Sequence, residues 1–253
     1  MRVSNQARRH MITLLEDLNR HKAYKEETLY LAASLCDRYL VNLAVKNSVA
    51  PCLIKLAIIC TLMAAKLEQP IQPSYNRMIR LVATEWSVEV TKQELIDMEE
   101  SIIRMLDFDL HFTGPIPFLE RFQRIYNLDL VKRDREAYSI DFLARNFCRS
   151  MLRTSCSLTL KPSQIGASAL ILAINLSTSD LAPKVGLKKM QDLNLKSLFF
   201  ENVINIEMDG VRQKFKNEAC PLKMWNKVVR RTTEMNIAGD LRPAYTIMCN
   251  IVN

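Results

Sequence analysis

The sequence predicts an all-α protein, built as two tandem five-helix bundles with a short C-terminal tail. Three observations carry this. Apolar residues recur at intervals of three and four along the chain, and β-branched alternating runs are absent. Glycine is scarce, five in 253 residues, and none precedes Gly114. The segment DFDLHFTGPIP then interrupts the helical pattern with one Gly and two Pro, between two similar sets of helices.

The first set is expected at residues 4–20, 26–45, 51–67, 73–83 and 91–106. The turn signals NRHKAYKE, VAP, QPIQPS and EWSVEVTK separate its members. Thr91 followed by Glu94 reads as a capping box opening the fifth helix. The second set is expected near 116–127, 134–153, 162–178, 186–193 and 195–217. Helix 51–67 is apolar on most faces. Helix 162–178 is rich in small residues (Ser163, Ala167, Ala169, Ala173), which lets helix backbones approach closely. Each is the third of its set, so each is expected at the centre of its bundle, in a weak internal repeat. The expected domains are 1–112, 113–217 and a tail at 218–253. The tail's KMWNKVVRR reads as a packed or solvated segment rather than a nucleic-acid arm.

Composition narrows the function classes. No apolar run reaches the ~18–20 residues a membrane span needs, and MRVSNQARRH has no signal-peptide character. The seven cysteines form no CxxC, so reduced, buried thiols in an intracellular protein are expected. The three histidines are isolated from any cysteine pair, so neither metal nor cofactor is expected. No phosphate loop can form in the first 113 residues, and neither GxSxG nor HExxH occurs. The expectation is a protein without catalysis of its own. The net charge is +8. Residues 1–110 hold 14 basic and 14 acidic residues, and the remainder hold 21 and 13. The second half thus carries all the excess, which suits an acidic or phosphorylated partner segment or a solvated surface. Lys184, Lys188 and Lys189 are the candidate residues there.

Two charges are out of place. On helix 91–106, Leu95, Met98, Ile102, Ile103, Met105 and Leu106 make one apolar face, and Glu99 falls inside it, four residues from Leu95 and from Ile103. A carboxylate there must be paired or must face a partner. Lys66 ends the most apolar helix of the first set. The helix dipole favours a cation there by about 0.3–1 kcal/mol, which explains Lys66 alone. Paired, the two could form an internal salt bridge. They could also clamp the backbone of another protein, lysine binding its carbonyls and glutamate its amides. Asp37, on a helix with few polar positions, needs a cation from the first helix, which offers Arg8 and Arg9.

ETLYLAASLCDRYL, LMAAKLEQ, LIDMEESIIRMLDFDL and TGPIPFLERF, in that order, resemble the cyclin box. LKPSQIGASALILAINL resembles the third helix of a cyclin's second box. The resemblance covers residues 7–217 and is nearer to cell-cycle than to transcriptional cyclins. It implies two tandem cyclin-box bundles and a regulatory subunit that binds and activates a cyclin-dependent kinase, in the nucleus or cytoplasm. It implies that Lys66 and Glu99 clamp the backbone before the kinase αC helix, and that Leu67, Ile103, Phe108 and Leu110 line the apolar groove receiving αC. Arg8 and Asp37 match the family's structural ion pair. The family's patch for Arg-x-Leu peptides falls on Met11, Leu14, Asp17, Leu53 and Ile54. There Ala7, Met11 and Leu14 replace Met, Leu and Trp, and Ile54 replaces a glutamine. Lys55 stands where the box has a leucine. No room for an N-terminal destruction box is expected, and RSML at 149–152 matches a short degron inside a predicted helix. The alternative is a cyclin-fold scaffold or transcription-factor-like protein that activates no kinase; nucleic-acid binding is disfavoured by the neutral first half.

Overall fold

The computed structural model describes residues 4–49, 51–125 and 135–178, and these are helical, with no strand among them. The chain divides into two units, Met1–Gly114 and Pro115–Asn253. The first holds α1 (Asn5–Lys22), α2 (Glu26–Val45), α3 (Leu53–Glu68), α4 (Tyr75–Trp86) and α5 (Lys92–Met105). The second holds α6 (Pro115–Ile125), α7 (Arg135–Leu152), a 3₁₀ turn at Ser155–Leu158 and α8 (Pro162–Thr178). The helices expected at 186–193 and 195–217, the tail, and Lys184, Lys188 and Lys189 lie outside the described residues. Among the described residues no helix is long and apolar enough to cross a membrane.

In the first unit α3 is the central helix. Its residues Leu56 to Ala65 are buried without a break, and it packs against α1, α2 and α5. A helix that is apolar all round is stable only when enclosed. Fully burying a Leu or Ile contributes about 1.5–3 kcal/mol, and Leu56, Ile58, Ile59 and Leu62 are all fully buried. The helix stops because Pro70 disfavours a helical Gln69, and Gln69 is extended, with ψ 142°. Its side chain donates to Thr28 Oγ1 at 2.6 Å. α5 begins with the expected capping box: Glu94 N donates to Thr91 Oγ1 at 3.2 Å and Thr91 N to Glu94 Oε2 at 2.9 Å.

The second unit is built on α8, which packs against α7 and α6. Gly166 is where the close approach is tightest. A Cβ there would stand 2.8 Å from the carbonyl oxygen of Pro115 and 3.1 Å from the amide nitrogen of Leu119. Ala167, Ala169 and Ala173 are fully buried beside it. Arg145 on α7 reaches Glu120 on α6 at 3.0 Å and Asp141 of its own helix at 2.9 Å. Residues 149–152 lie in α7, with Met151 and Leu152 buried, so the RSML match is not a free linear segment.

Cys36, Cys60 and Cys148 are buried free thiols, but Cys52 is exposed, contrary to the expected burial. It is the N-cap residue of α3 and precedes the first enclosed turn. Burial, then a hydrogen bond with Cys60, pushes the Cys36 thiol well above its ordinary pKa.

Candidate functional site

Three helices bring three side chains together at one edge of the first unit. Lys66, in the last turn of α3, donates from Nζ to Glu99 Oε1 on α5 at 2.6 Å. It also donates to the Tyr75 hydroxyl, in the first turn of α4, at 2.8 Å. The Tyr75 hydroxyl in turn donates to Glu99 Oε2, and its ring centroid lies 4.9 Å from Lys66 Nζ. The Lys66 side chain is 30% exposed and that of Glu99 16%. Burial works against the Lys66 charge, but the hydrogen bonds to Glu99 and Tyr75 outweigh it and hold its pKa above the ordinary value. Burial and the hydrogen bond to Glu99 push the Tyr75 phenol up, so it stays protonated.

The position of Glu99 corrects the helical-face reading. The buried line of α5 is Leu95 and Ile102, continued by Leu106 at its C-cap. At about 100° per residue, Glu99 lies roughly 40° from Leu95 and Ile103 roughly 80°. Ile103 is accordingly half-buried. The Glu99–Ile103 row is thus the flank of the apolar face. A carboxylate is tolerated there because one side meets Lys66 and Tyr75 while the other stays within reach of solvent.

Apolar side chains stand out next to Lys66 and after the end of α5. Leu67 is 56% exposed and Phe108 76%, while Leu110 is half-buried. Phe108 follows a tight helix stop. Phe108 N donates to Ile103 O at 3.0 Å, and both Asp107 (φ 50°) and Phe108 (φ 61°) adopt the left-handed region. That region costs an L-residue roughly 1–2 kcal/mol, and a phenylalanine there is an outlier. The α2 helix holds the turn in place. Arg38 donates to the Asp109 carbonyl at 2.7 Å and to its carboxylate at 2.8 Å. Asn42 donates to the Met105 carbonyl at 3.0 Å, and Tyr39 hydrogen-bonds Ser101 at 3.0 Å.

The other sequence-derived residues fall elsewhere. Arg8 and Asp37 form a two-pronged pair, Nε to Oδ1 and NH2 to Oδ2, both at 2.8 Å. Their side chains are 8% and 12% exposed, so the pair locks α1 to α2 inside the packing. Leu14, Asp17, Leu53 and Ile54 are half-buried, and Asp17 pairs with Arg20 at 3.4 Å. Met11 is fully buried. It belongs to the core beneath α1 and cannot present itself to a docked peptide, which corrects its assignment to the patch.

Four residues were not anticipated. Tyr75 stands in a turn-rich stretch, and an aromatic two residues after Pro73 carries no signal that it reaches across to Lys66. Arg38 and Asp109 are 71 residues apart, and neither breaks an apolar pattern. Lys55, singled out only as a departure, meets Glu94 at 2.5 Å. That contact comes first, and the Thr91 amide second, in holding the Glu94 carboxyl at about 2.

With this geometry in view, comparison with known proteins is informative. Residues 1–111 match the family described as cyclin, N-terminal domain. The chain is 29% identical over 177 residues to G2/mitotic-specific cyclin-B3 of Gallus gallus, covering 69% of this chain and 40% of that protein. It is 27% identical over 208 residues to G2/mitotic-specific cyclin-4 of Saccharomyces cerevisiae, covering 78% and 41%. It therefore spans about two fifths of the length of these curated relatives. Among solved structures, a chain in the CAK complex from Chaetomium thermophilum bound to ATP-gamma-S has a similar fold, with TM-score 0.53 at 18% identity, over 97% of this chain and 71% of that one.

Proposed function

We propose that the chain, whose residues 1–111 match the cyclin N-terminal domain, is a cyclin: a non-catalytic regulatory subunit that binds and activates a cyclin-dependent Ser/Thr protein kinase in cell-cycle control. The observation that carries this reading is the part-exposed Lys66–Glu99 pair at the edge of the first unit, with Leu67 next to Lys66 and Phe108 after α5 both exposed. Lysine has three N–H donors. Glu99 and Tyr75 take two, so one remains for a carbonyl. Glu99 keeps lone pairs for an amide. A donor and an acceptor this close suit a peptide backbone, whatever its side chains.

On this reading the clamp holds the kinase segment preceding αC, and Leu67, Ile103, Phe108 and Leu110 receive the apolar side of αC. An active kinase needs its αC glutamate paired with the ATP-site lysine, and αC placement controls that pairing. The protein supplies placement only, so it needs neither metal nor cofactor. The names of its relatives support a role in the mitotic part of the cycle. Phosphorylated or acidic substrate segments would engage the basic second half, at Lys184, Lys188 and Lys189, with the complex acting in the nucleus or cytoplasm. The patch of Leu14, Asp17, Leu53 and Ile54 would serve substrates of altered specificity.

The test is to mix the full chain with purified cyclin-dependent kinases and measure complex formation and phosphorylation of a peptide substrate. Binding with a rise in kinase rate is the expected result. Binding without activation would replace this reading with a scaffold, and no binding to any kinase would overturn it.

A further inference from the structure

We propose that Tyr75 is the positioning residue of the clamp: its hydroxyl bridges Lys66 and Glu99, fixes both groups before the kinase arrives, and thereby sets the affinity of the complex. This rests on the kinase-docking reading above. A lysine on its four-carbon stem is mobile, and a part-exposed ion pair alone orders it little. Here the three groups close a ring: ammonium to carboxylate, ammonium to phenol oxygen, and phenol to the second carboxylate oxygen. The ring face at 4.9 Å adds a cation–π contact that also restricts the stem.

Tyr75 is itself well placed to act as a spacer. It opens α4, and the link from α3 carries Pro70 and Pro73, whose fixed φ angles limit that segment. The bridge therefore ties the end of α3 to α5 through a third helix. It consumes one Lys66 donor and one Glu99 acceptor site. One donor and further acceptor capacity remain beside each other, which is what one carbonyl and one amide of a partner backbone require. Ordering Lys66 in advance removes a cost that binding would otherwise carry.

Tyr75→Phe in the full chain keeps the ring and its packing and removes only the bridge. Kinase affinity is expected to fall about tenfold, chiefly through faster dissociation, with the thermal midpoint unchanged. In a Lys66→Ala background the same substitution should have no further effect. In the free protein, the Lys66 ammonium followed by nitrogen-15 NMR should exchange its protons with water faster in Tyr75→Phe. Kinase affinity within twofold of wild type for Tyr75→Phe, where Lys66→Ala and Glu99→Ala both weaken binding, would overturn the proposal alone. Additive effects of Tyr75→Phe and Lys66→Ala, accompanied by a lowered midpoint, would reduce Tyr75 to a structural residue and also overturn it. Absence of binding by the wild-type chain to any kinase overturns the docking reading, and this inference with it.

Discussion

Lys66 Nζ stands 2.6 Å from Glu99 Oε1, and the two residues lie 33 positions apart on helices that end and pass at the same edge of the first unit. Each is the one charged group on its helix that core packing does not explain, and each resolves the other. The pair is part-exposed, so its worth to folding is small, about 0–1 kcal/mol. On the kinase-docking reading its worth to a partner is larger. Lys66→Ala and Glu99→Ala are each expected to cost about 2 kcal/mol of kinase affinity, or roughly 30-fold in Kd. The double variant should lose less than the sum, because the residues touch. Calorimetric titration of the four proteins against one kinase, with thermal melts as control, measures this.

The Arg8–Asp37 pair should behave in the opposite way. Both side chains are nearly enclosed and joined by two 2.8 Å hydrogen bonds. Removing Arg8 takes the nearly enclosed Asp37 carboxylate's cation away, and removing Asp37 takes the two-pronged acceptor from Arg8, at about 3–5 kcal/mol. Asp37→Ala or Arg8→Ala should therefore lower the chemical-denaturation midpoint sharply. Arg8→Met with Asp37→Leu should recover part of the loss, because neither member of the pair is then left buried opposite an apolar residue.

Much of this was legible in the sequence. Helices α2 and α8 fall where periodicity sets them, and Thr91–Glu94 forms the capping box, because these signals are local: spacing, caps and prolines act within a turn or two. The charge anomalies at Asp37, Lys66 and Glu99 could be seen because each stands within or directly beside an apolar pattern. Tyr75, Arg38 and Asp109 could not be seen. Each sits where a polar residue is unremarkable, and its role arises only once distant helices meet. Met11 was misplaced because a methionine suits a buried face and a docking face equally, and only the packing of α1 distinguishes them.

Two titrations test the electrostatics. Glu94 has its carboxyl held at about 2, below the ordinary 4.5, by Lys55 and the Thr91 amide. Its contribution is thus present above pH 4.5 and lost as pH falls toward 2. Carbon-13 NMR of the Glu94 carboxyl should show that low midpoint, and Lys55→Met should return it toward 4.5. Lys66 is raised above 10.5. Its contribution is present below 10.5 and lost only as pH rises through the higher folded value. Kinase binding should therefore show no loss attributable to Lys66 across the neutral range.

Gly166→Ala sets two effects against each other. Alanine favours a helix interior over glycine by about 1 kcal/mol. Yet the new methyl would lie 2.8 Å from a backbone oxygen at the start of α6, which cannot rotate away as a side chain would. Forcing α6 and α8 apart costs about 1–3 kcal/mol, so the net effect should be destabilising. Gly114→Ala meets a side chain instead, Tyr30 Cβ at 2.8 Å, but that atom is next to the α2 backbone and can give little. Denaturation of both variants should show midpoints below wild type.

Phe108 carries the sharpest trade-off. It holds a left-handed backbone with φ 61° while 76% of it is exposed. Folding gains little from such a ring and bears the cost of its conformation, which fits the docking role proposed for it. Asparagine tolerates the left-handed region far better than phenylalanine. Phe108→Asn should therefore stabilise the free protein, by up to about 1 kcal/mol, as relieved backbone strain outweighs lost contacts. On the kinase-docking reading the same change removes an aromatic from the groove for αC and should weaken kinase binding by roughly tenfold or more. A substitution that raises the thermal midpoint while lowering affinity separates the two roles. If the variant instead melts lower with unchanged affinity, Phe108 belongs to the fold and not to the docking edge.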